Sequence, residues 1–147
     1  MKEKLQDGNR ICQTVVFIFY DPERDAVLLE KRASDFSFAN TLLFPGGSIE
    51  PVEQDSIAVA LIREIEEELG VTPTSFEPIP SQDDIYGETG KLLKPYFIRQ
   101  WEGSLPEAVL DKGNPLLWQE IGKVSSELES MRLLISALKA FLRQSAS

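Results

Sequence analysis

Glutamates crowd one short segment of the sequence, Arg63–Gly70 (REIEEELG). On a helix at about 100° per residue, Glu64, Glu67 and Glu68 share one face beside the apolar face, whereas Glu66 points elsewhere. Like charges three and four residues apart repel, and the C-terminal end of a helix disfavours anions. A hard divalent cation would offset this cost, because Mg²⁺ takes oxygen ligands and often bridges carboxylates to phosphates.

A glutamate-rich helix face on its own is more often a solvated surface than a site. The glycine pair Gly46-Gly47, which follows Phe44-Pro45, changes this balance. Backbone NH groups at glycines can approach a phosphate or a carboxylate closely because no side chain blocks them. Arg63 lies one turn before Glu67 and could orient a carboxylate. Together these residues favour a metal-dependent site.

The carboxylates need a helix, and apolar residues predict one over residues 54–69. Asp55 or Ser56 is a candidate N-cap, and Gly70 stands where a left-handed C-cap would end the helix. A second helix is predicted from Ser125 or Ser126 to about Arg143. The apolar residues of the first helix recur at intervals of three and four: Ala58, Leu61, Ile62, Ile65 and Leu69.

The remaining chain is rich in strand signals. Cys12–Tyr20 is predicted as a central strand because its apolar run leaves no face for water, and it forms a hairpin with Ala26–Arg32. Residues 71–90 are expected to hold turns and short strands. Further strands are predicted at Lys94–Trp101 and, as a short strand or turn, at Trp118–Ile121. The order predicts one α/β domain over residues 1–147, with a mixed sheet covered by helices and a loose tail at residues 1–9.

Composition excludes several classes of function. The chain has 147 residues, with 15 Lys+Arg against 24 Asp+Glu, a net charge of −9 and no His. An acidic chain is a poor ligand for nucleic-acid polymers or anionic membranes. The absence of histidine excludes a Ser-His-Asp triad and a His-ligated zinc. The single cysteine, Cys12, excludes an internal disulfide, and no apolar run approaches the length of a membrane span, so a cytoplasmic protein is expected.

Residues Gly47–Val71 resemble the signature of the Nudix hydrolase family, Gx5Ex7REUxEExGU, where U is aliphatic. The lead-in Phe44-Pro45-Gly46-Gly47 and Glu50 also resemble the family. The resemblance implies an α/β/α sandwich with a mixed sheet and a carboxylate-bearing loop-helix-loop. The second half of the signature matches at every fixed position: Arg63, Glu64, Ile65, Glu67, Glu68, Gly70 and Val71.

The first half of the signature departs from the pattern. The pattern has fourteen positions from its glycine to its arginine, whereas Gly47 to Arg63 spans sixteen, so two residues are inserted. A loop absorbs an insertion more easily than a packed helix. We therefore expect the insertion within Ser48–Gln54, with Asp55 in the first acidic position and Glu53 as the alternative.

The resemblance implies hydrolysis of the pyrophosphate bond in a nucleoside diphosphate linked to another moiety. A nucleoside triphosphate or a related nucleotide is the favoured substrate. Catalysis is expected from Glu64, Glu67, Glu68 and Arg63, and Mg²⁺ or Mn²⁺ is expected on the three glutamates and Gly47. One alternative is a non-catalytic Nudix-fold module that binds a nucleotide or a protein, and another is a plain acidic surface for a partner.

Other residues carry weaker expectations. Gly46, Gly47, Arg32 and Tyr86 are candidates for substrate binding, and a homodimer is a reasonable default. A general base could come from the glutamate face or from a distant loop. The loop candidates are Glu102, Glu107 and Asp111; the candidates to face a nucleobase are Asn114, Trp118 and the phenylalanines Phe36, Phe38 and Phe44, for which core packing is the simpler reading.

Overall fold

The computed structural model describes residues 13–32 and 41–145. The expectations for the tail at residues 1–9 and for Cys12, Phe36 and Phe38 lie outside the described residues. Two helices, α1 and α2, accompany the sheet, at Ile57–Leu69 and Glu129–Ser145. The strands are β1 (Gln13–Asp21), β2 (Ala26–Lys31), β3 (Leu42–Leu43), β4 (Gly46–Ser48), β5 (Thr72–Pro78), β6 (Ile85–Tyr86), β7 (Leu92–Glu102) and β8 (Leu116–Glu120).

Strand β1 is the centre of a mixed sheet, as predicted. It forms the expected hairpin with β2, pairs in parallel with β7, and pairs antiparallel with the short strand β4. β2 also pairs with β3 and β8, and β7 also pairs with β5 and β6, all antiparallel. The parallel β1–β7 pair requires a crossover, which the chain between these strands provides with α1.

The two faces of β1 are buried in two separate cores. Val15, Phe17 and Phe19 pack with the apolar stripe of α1, whereas Val16 and Ile18 pack with that of α2. The continuous apolar run of β1 follows from burial on both faces. The expected α/β/α sandwich is therefore confirmed. Neither helix of the described residues is long and apolar enough to cross a membrane.

Most strand boundaries differ from the predictions by one or two residues, and three elements differ in a way that matters here. Helix α1 begins at Ile57, three residues late, because Gln54 and Asp55 form a turn and Ser56 is the N-cap, and it ends as expected with Gly70 at φ +70°. Strand β5 is longer than expected, and it tolerates Pro73 because it lies at a sheet edge beside a β-bulge. Helix α2 begins later than predicted, at Glu129.

Candidate active site

Helix α1 presents its glutamates at different depths. Glu64 is buried with 8% exposure, Glu68 is half-buried and Glu67 is exposed. Glu66 lies away from this face, as the helical wheel predicts, and its Oε2 accepts a hydrogen bond from Thr72 Oγ1 at 3.1 Å. Glu64 and Glu68 therefore form the inner part of the acidic face, and Glu67 forms its outer edge.

The glycine pair is required by close packing at two points. A Cβ atom on Gly47 would overlap the carboxylate of Glu64, and one on Gly46 would overlap the carbonyl oxygen of Val15. Both glycines lie in β4, which pairs with β1. Glycine is thus the residue that lets the strand, the helix carboxylate and the central strand approach each other.

Arg63 connects three segments around the acidic face. Its Nε donates to Glu53 Oε2 at 2.6 Å and its Nη2 donates to Glu53 Oε1 at 2.8 Å, a bidentate pair. Nη2 also donates to the Ser48 carbonyl oxygen at 3.2 Å. Nη1 lies 3.0 Å from Glu64 Oε2 and 3.1 Å from Glu67 Oε1. The guanidinium therefore fixes the orientation of two carboxylates of the face.

Glu53, and not Asp55, is the acidic partner of Arg63, so our preference for Asp55 is wrong. Glu53 is buried, and its Oε1 accepts a further hydrogen bond from the Glu50 amide at 3.0 Å. These bonds, chiefly those from Arg63, lower the pKa of Glu53 to about 2. Asp55 is exposed in the turn that follows. The added residues thus lie after Glu53 and before Ile57, where they change neither the loop nor the helix.

Burial raises the pKa of two other carboxyl groups. Desolvation is the largest cause for Glu64, and the Arg63 guanidinium opposes it. Desolvation is also the largest cause for Glu68, where Lys112 lowers the pKa and the charges of Glu30 and Asp111 raise it. Both carboxylates are thus less well compensated than Glu53, and a bound cation would stabilise their charged forms.

The loop between β7 and β8 docks on the C-terminal end of α1. The Leu110 amide donates to the Glu68 carbonyl oxygen at 2.9 Å. Of the loop candidates for a general base, Asp111 is close enough to raise the pKa of Glu68. Glu102 and Glu107 are exposed and do not line the cavity beside the acidic face. Asp111 is also exposed and outside the cavity lining, so its electrostatic effect on Glu68 is what connects it with the site.

A cavity of about 410 Å³ opens beside the acidic face. Its polar lining includes Gly46, Gly47, Glu64, Glu68 and Arg32, so both glycines and the candidate Arg32 reach it. Its apolar lining comes from the core under α2 and includes Phe44. The lining also includes Lys91, Leu93, Lys112, Leu128, Met131 and Leu134.

This lining does not include Glu67, Arg63 or three further candidates. Tyr86 is 46% exposed and is not part of the lining, although its neighbour Gly87 is. Asn114 is buried, and its Nδ2 donates to Glu30 Oε2 at 2.7 Å. Trp118 packs against the core under α1, as the simpler reading expected. Contact of Tyr86 with substrate stays a prediction, whereas Asn114 and Trp118 are engaged within the protein.

Sequence reasoning missed Lys112 and Glu30. Lys112 Nζ lies 3.8 Å from Glu68 Oε1, and Glu30 is 2% exposed beneath the same end of α1. The burial of Glu30 could have been suspected from its place in the apolar strand Ala26–Lys31. Nothing in the sequence marks Lys112, because its partner is distant along the chain.

The donor set fits a hard divalent cation by its chemistry. Glu64 and Glu68 supply oxygen ligands at the cavity, and Gly47, whose missing side chain leaves room for the Glu64 carboxylate, lines the same cavity. Among residues 13–32 and 41–145, no three acidic side chains stand close enough to ligate one ion. Basic side chains already pair with these carboxylates, because Arg63 contacts Glu64 and Glu67 while Lys112 lies near Glu68.

Comparison with known proteins identifies the family. The model of the NUDIX domain matches residues 11–132. The 8-oxo-dGTP diphosphatase of Escherichia coli K12 is 32% identical over 99 residues, which are 67% of this chain and 73% of that protein.

Solved structures also share the fold, among them one from Burkholderia pseudomallei and one from Shewanella oneidensis. The MutT Nudix hydrolase from Burkholderia pseudomallei aligns with a TM-score of 0.63 at 21% identity, over 84% of this chain and 95% of that one. The Nudix domain of Shewanella oneidensis NrtR, solved with ADP-ribose, aligns with a TM-score of 0.67 at 18% identity, over 97% and 90%. The chain therefore belongs to the Nudix family and is an enzyme of the Nudix pyrophosphohydrolase type.

Proposed function

We propose that this protein hydrolyses a pyrophosphate bond of a nucleoside triphosphate or a related nucleotide in a metal-dependent reaction. One observation carries the proposal: the buried Glu64, the half-buried Glu68 and Gly47 line the same cavity as an apolar wall. A nucleotide has the matching division, with an anionic polyphosphate and a flat base. The cavity volume is also within the usual range for small-molecule sites, roughly 300–1,000 Å³.

Mg²⁺ or Mn²⁺ would be held by Glu64, Glu67 and Glu68 with the backbone of Gly47, because oxygen donors suit these ions. The three carboxylates do not stand close enough to share one ion while Arg63 and Lys112 pair with them, so binding would require them to shift. When bound, such an ion neutralises phosphate charge and makes bound water a stronger nucleophile. The net charge of −9 is then no obstacle to an anionic substrate, because the acidic face recruits cations first.

The protein's own residues hold the carboxylates and the phosphates in place. Arg63 orients Glu64 and Glu67, and its bidentate bond to Glu53 keeps the guanidinium itself fixed. Arg32 lines the cavity and is placed to contact phosphate oxygen. The candidate general bases are Glu68, which lines the cavity, and Asp111, which is close enough to raise the pKa of Glu68.

The similarity to an 8-oxo-dGTP diphosphatase supports nucleoside triphosphates, including oxidised ones, as the first substrates to test. The ADP-ribose bound in the Shewanella structure supports a second class of substrate, in which the nucleoside diphosphate is linked to a sugar. The cavity wall formed by Leu93, Leu128 and Leu134 offers the same apolar surface to the nucleobase of a substrate from either class.

The test is a screen of purified protein with Mg²⁺ and with Mn²⁺ against nucleoside triphosphates, 8-oxo-dGTP, ADP-ribose, nucleotide sugars and dinucleoside polyphosphates. Coupled pyrophosphatase or phosphatase makes either product visible. We expect metal-dependent turnover that falls at least about a hundredfold in Glu64→Gln, as for loss of other charge-stabilising groups in active sites. Glu66→Gln is the matched control, because this glutamate is on the same helix but faces Thr72.

Three outcomes would decide the matter. Equal activity in Glu64→Gln and the wild type would show that the carboxylate of Glu64 takes no part in the reaction. Saturable nucleotide binding without turnover across the panel would favour a binding module instead of the proposed hydrolase. Loss of activity in Glu66→Gln as large as in Glu64→Gln would show that the effect is not specific to the cavity.

A further inference from the structure

Lys112 places a positive charge inside the proposed site. Its Nζ lies 3.8 Å from Glu68 Oε1, and its side chain lines the cavity together with Gly47 and Glu64. The side chain is 50% exposed, whereas that of Glu68 is 14% exposed. The ammonium group thus stands at the cavity side of a mostly buried carboxylate that the proposed metal would also use.

The backbone around Lys112 holds it there. The Gly113 amide donates to the Val109 carbonyl oxygen at 2.8 Å, and the Val109 amide donates to the Asn114 carbonyl oxygen at 2.9 Å. Gly113 adopts φ +71°, a conformation that favours glycine. The Leu110 amide then joins this turn to the last turn of α1 through Glu68.

A buried hydrogen bond anchors the same turn from inside the protein. Asn114 Nδ2 donates to Glu30 Oε2 at 2.7 Å, and the two residues are 6% and 2% exposed. Breaking such a bond would leave a buried charged acceptor unsatisfied, so it constrains where the turn can lie. Lys112 is therefore presented to the cavity by a turn fixed at both α1 and β2.

We propose that Lys112 is a phosphate-contacting residue whose partner depends on the metal. Without a divalent cation its ammonium neutralises Glu68; when a cation occupies Glu68, the ammonium turns to the substrate polyphosphate. This proposal rests on the proposed function, because it requires a metal and a polyphosphate in the cavity.

Two physical arguments support the exchange. An ammonium group and a divalent cation repel each other and compete for one carboxylate, so binding of the stronger cation displaces the weaker. The flexible four-carbon stem and three donors of lysine let the freed group reach phosphate oxygens at several positions.

The experiment compares the wild type with Lys112→Met and Lys112→Arg. The control is Lys123→Met, because Lys123 also pairs with a glutamate, Glu120 at 2.9 Å, but is not part of the cavity lining. The first measurement is Mn²⁺ binding without substrate, followed by calorimetry or electron paramagnetic resonance. The second is the dependence of rate on the concentration of the best substrate from the screen, at saturating Mg²⁺.

We expect Lys112→Met to bind Mn²⁺ about threefold more tightly than the wild type, because a competing exposed cation is gone. We expect its KM to rise about tenfold or more, since a charged hydrogen bond to phosphate is lost, with a smaller change in kcat. The KM of Lys112→Arg should lie close to that of the wild type, because arginine keeps the positive charge. Lys123→Met should match the wild type in both measurements.

Failure of this proposal and failure of the proposed function give different results. An active wild type with unchanged Mn²⁺ affinity and KM in Lys112→Met would overturn the role of Lys112 and leave the hydrolase proposal standing. A wild type that turns over no nucleotide with either metal would overturn the proposed function and the phosphate contact together. A lower kcat with unchanged KM would also reject the phosphate contact.

Discussion

The two ends of the acidic face on α1 are built in opposite ways. At the Arg63 end, Glu53 is buried with a bidentate partner at 2.6 and 2.8 Å, and its pKa falls to about 2. At the Glu68 end the nearest cation, Lys112, is 3.8 Å away, and burial raises the pKa of the carboxyl. The first end is saturated with hydrogen bonds and fixes geometry, whereas the second keeps a carboxylate that gains from a further cation.

This difference assigns stability to one end and ligand binding to the other. A carboxylate that is fully paired stabilises the fold and has little to offer a metal. A carboxylate that is buried but loosely paired costs stability until a cation arrives, which is the usual situation at functional sites. The variants below test this division from the largest expected effect to the smallest.

Gly47→Ala should have the largest effect on activity. A Cβ atom on residue 47 would overlap the carboxylate of Glu64, which lies between Arg63 and Glu68 on the acidic face. We expect the rate to fall by at least about a hundredfold, as for misplacement of a positioned catalytic group. Gly122→Ala is the control, since a Cβ there meets nothing within 4 Å. Steady-state kinetics check the prediction, and near-normal rates for Gly47→Ala would show that Glu64 need not stay at its present position.

Glu53→Gln should break the saturated end. The variant keeps the volume but loses the charge that pairs with Arg63, so we expect a loss of about 2 kcal/mol in the free energy of unfolding. Asp55→Asn is the matched control, because Asp55 is exposed in the next turn and should change stability little. Urea unfolding of the two variants measures the difference, and equal stability losses would contradict the assignment of Glu53 as the partner of Arg63.

The acid limb of the stability curve tests the same end. The folded pKa of Glu53 lies below its ordinary value of 4.5, so its contribution is present above that value and is lost as the pH falls toward about 2. We expect the wild type to lose stability between these pH values more steeply than Glu53→Gln. Parallel unfolding curves of the two proteins from pH 5 to pH 2 would count against this linkage.

Asn114→Ala should loosen the Glu68 end. It leaves the Glu30 carboxylate buried without its hydrogen-bond donor, at a cost of about 1–3 kcal/mol. Because the turn that carries Lys112 loses its inner anchor, KM should rise in the same direction as in Lys112→Met. Thermal unfolding and kinetics measure the two effects, and a stability loss without a change in KM would separate the anchor from the position of Lys112.

Glu64→Gln should have the smallest effect on stability and the opposite sign. The folded pKa of Glu64 is raised by burial, so the charged form is disfavoured and stability falls as the pH rises through that pKa. At pH 7 without metal, the neutral glutamine should therefore make the protein slightly more stable while activity is lost. A clear destabilisation in thermal unfolding would mean that the ion pair with Arg63 outweighs the cost of burial.

Local patterns were the part of the fold and site that the sequence could predict. The face of Glu64, Glu67 and Glu68 follows from helical geometry alone, and Gly70 ends α1 as expected. The first acidic position was assigned wrongly because the 3-10 turn at residues 51–53 is stabilised by contacts with Arg63 that a one-dimensional pattern does not contain.

Long-range partners could not be predicted. Glu30 and Asn114 are 84 residues apart, and only the pairing of β2 with β8 brings their segments together. Tyr86 lies outside the cavity lining for a similar reason. The pairing of β6 with β7 places Gly87 in the lining and leaves Tyr86 exposed. Residue type and spacing thus indicated a site of acidic residues on α1, whereas strand pairing decides which loop residues lie beside that site.

The turn at residues 54–56 has a consequence for recognising related sequences. The added residues lie between a saturated ion pair and the first residue of α1, so the chain length there can vary without moving Glu53, Gly47 or the acidic face. A sequence search that demands fixed spacing across this turn would pass over a related protein with a different number of residues there, even if its glutamates were in place. Counting forward from the glycine pair and backward from Arg63, with a gap of free length between, would recover such a protein.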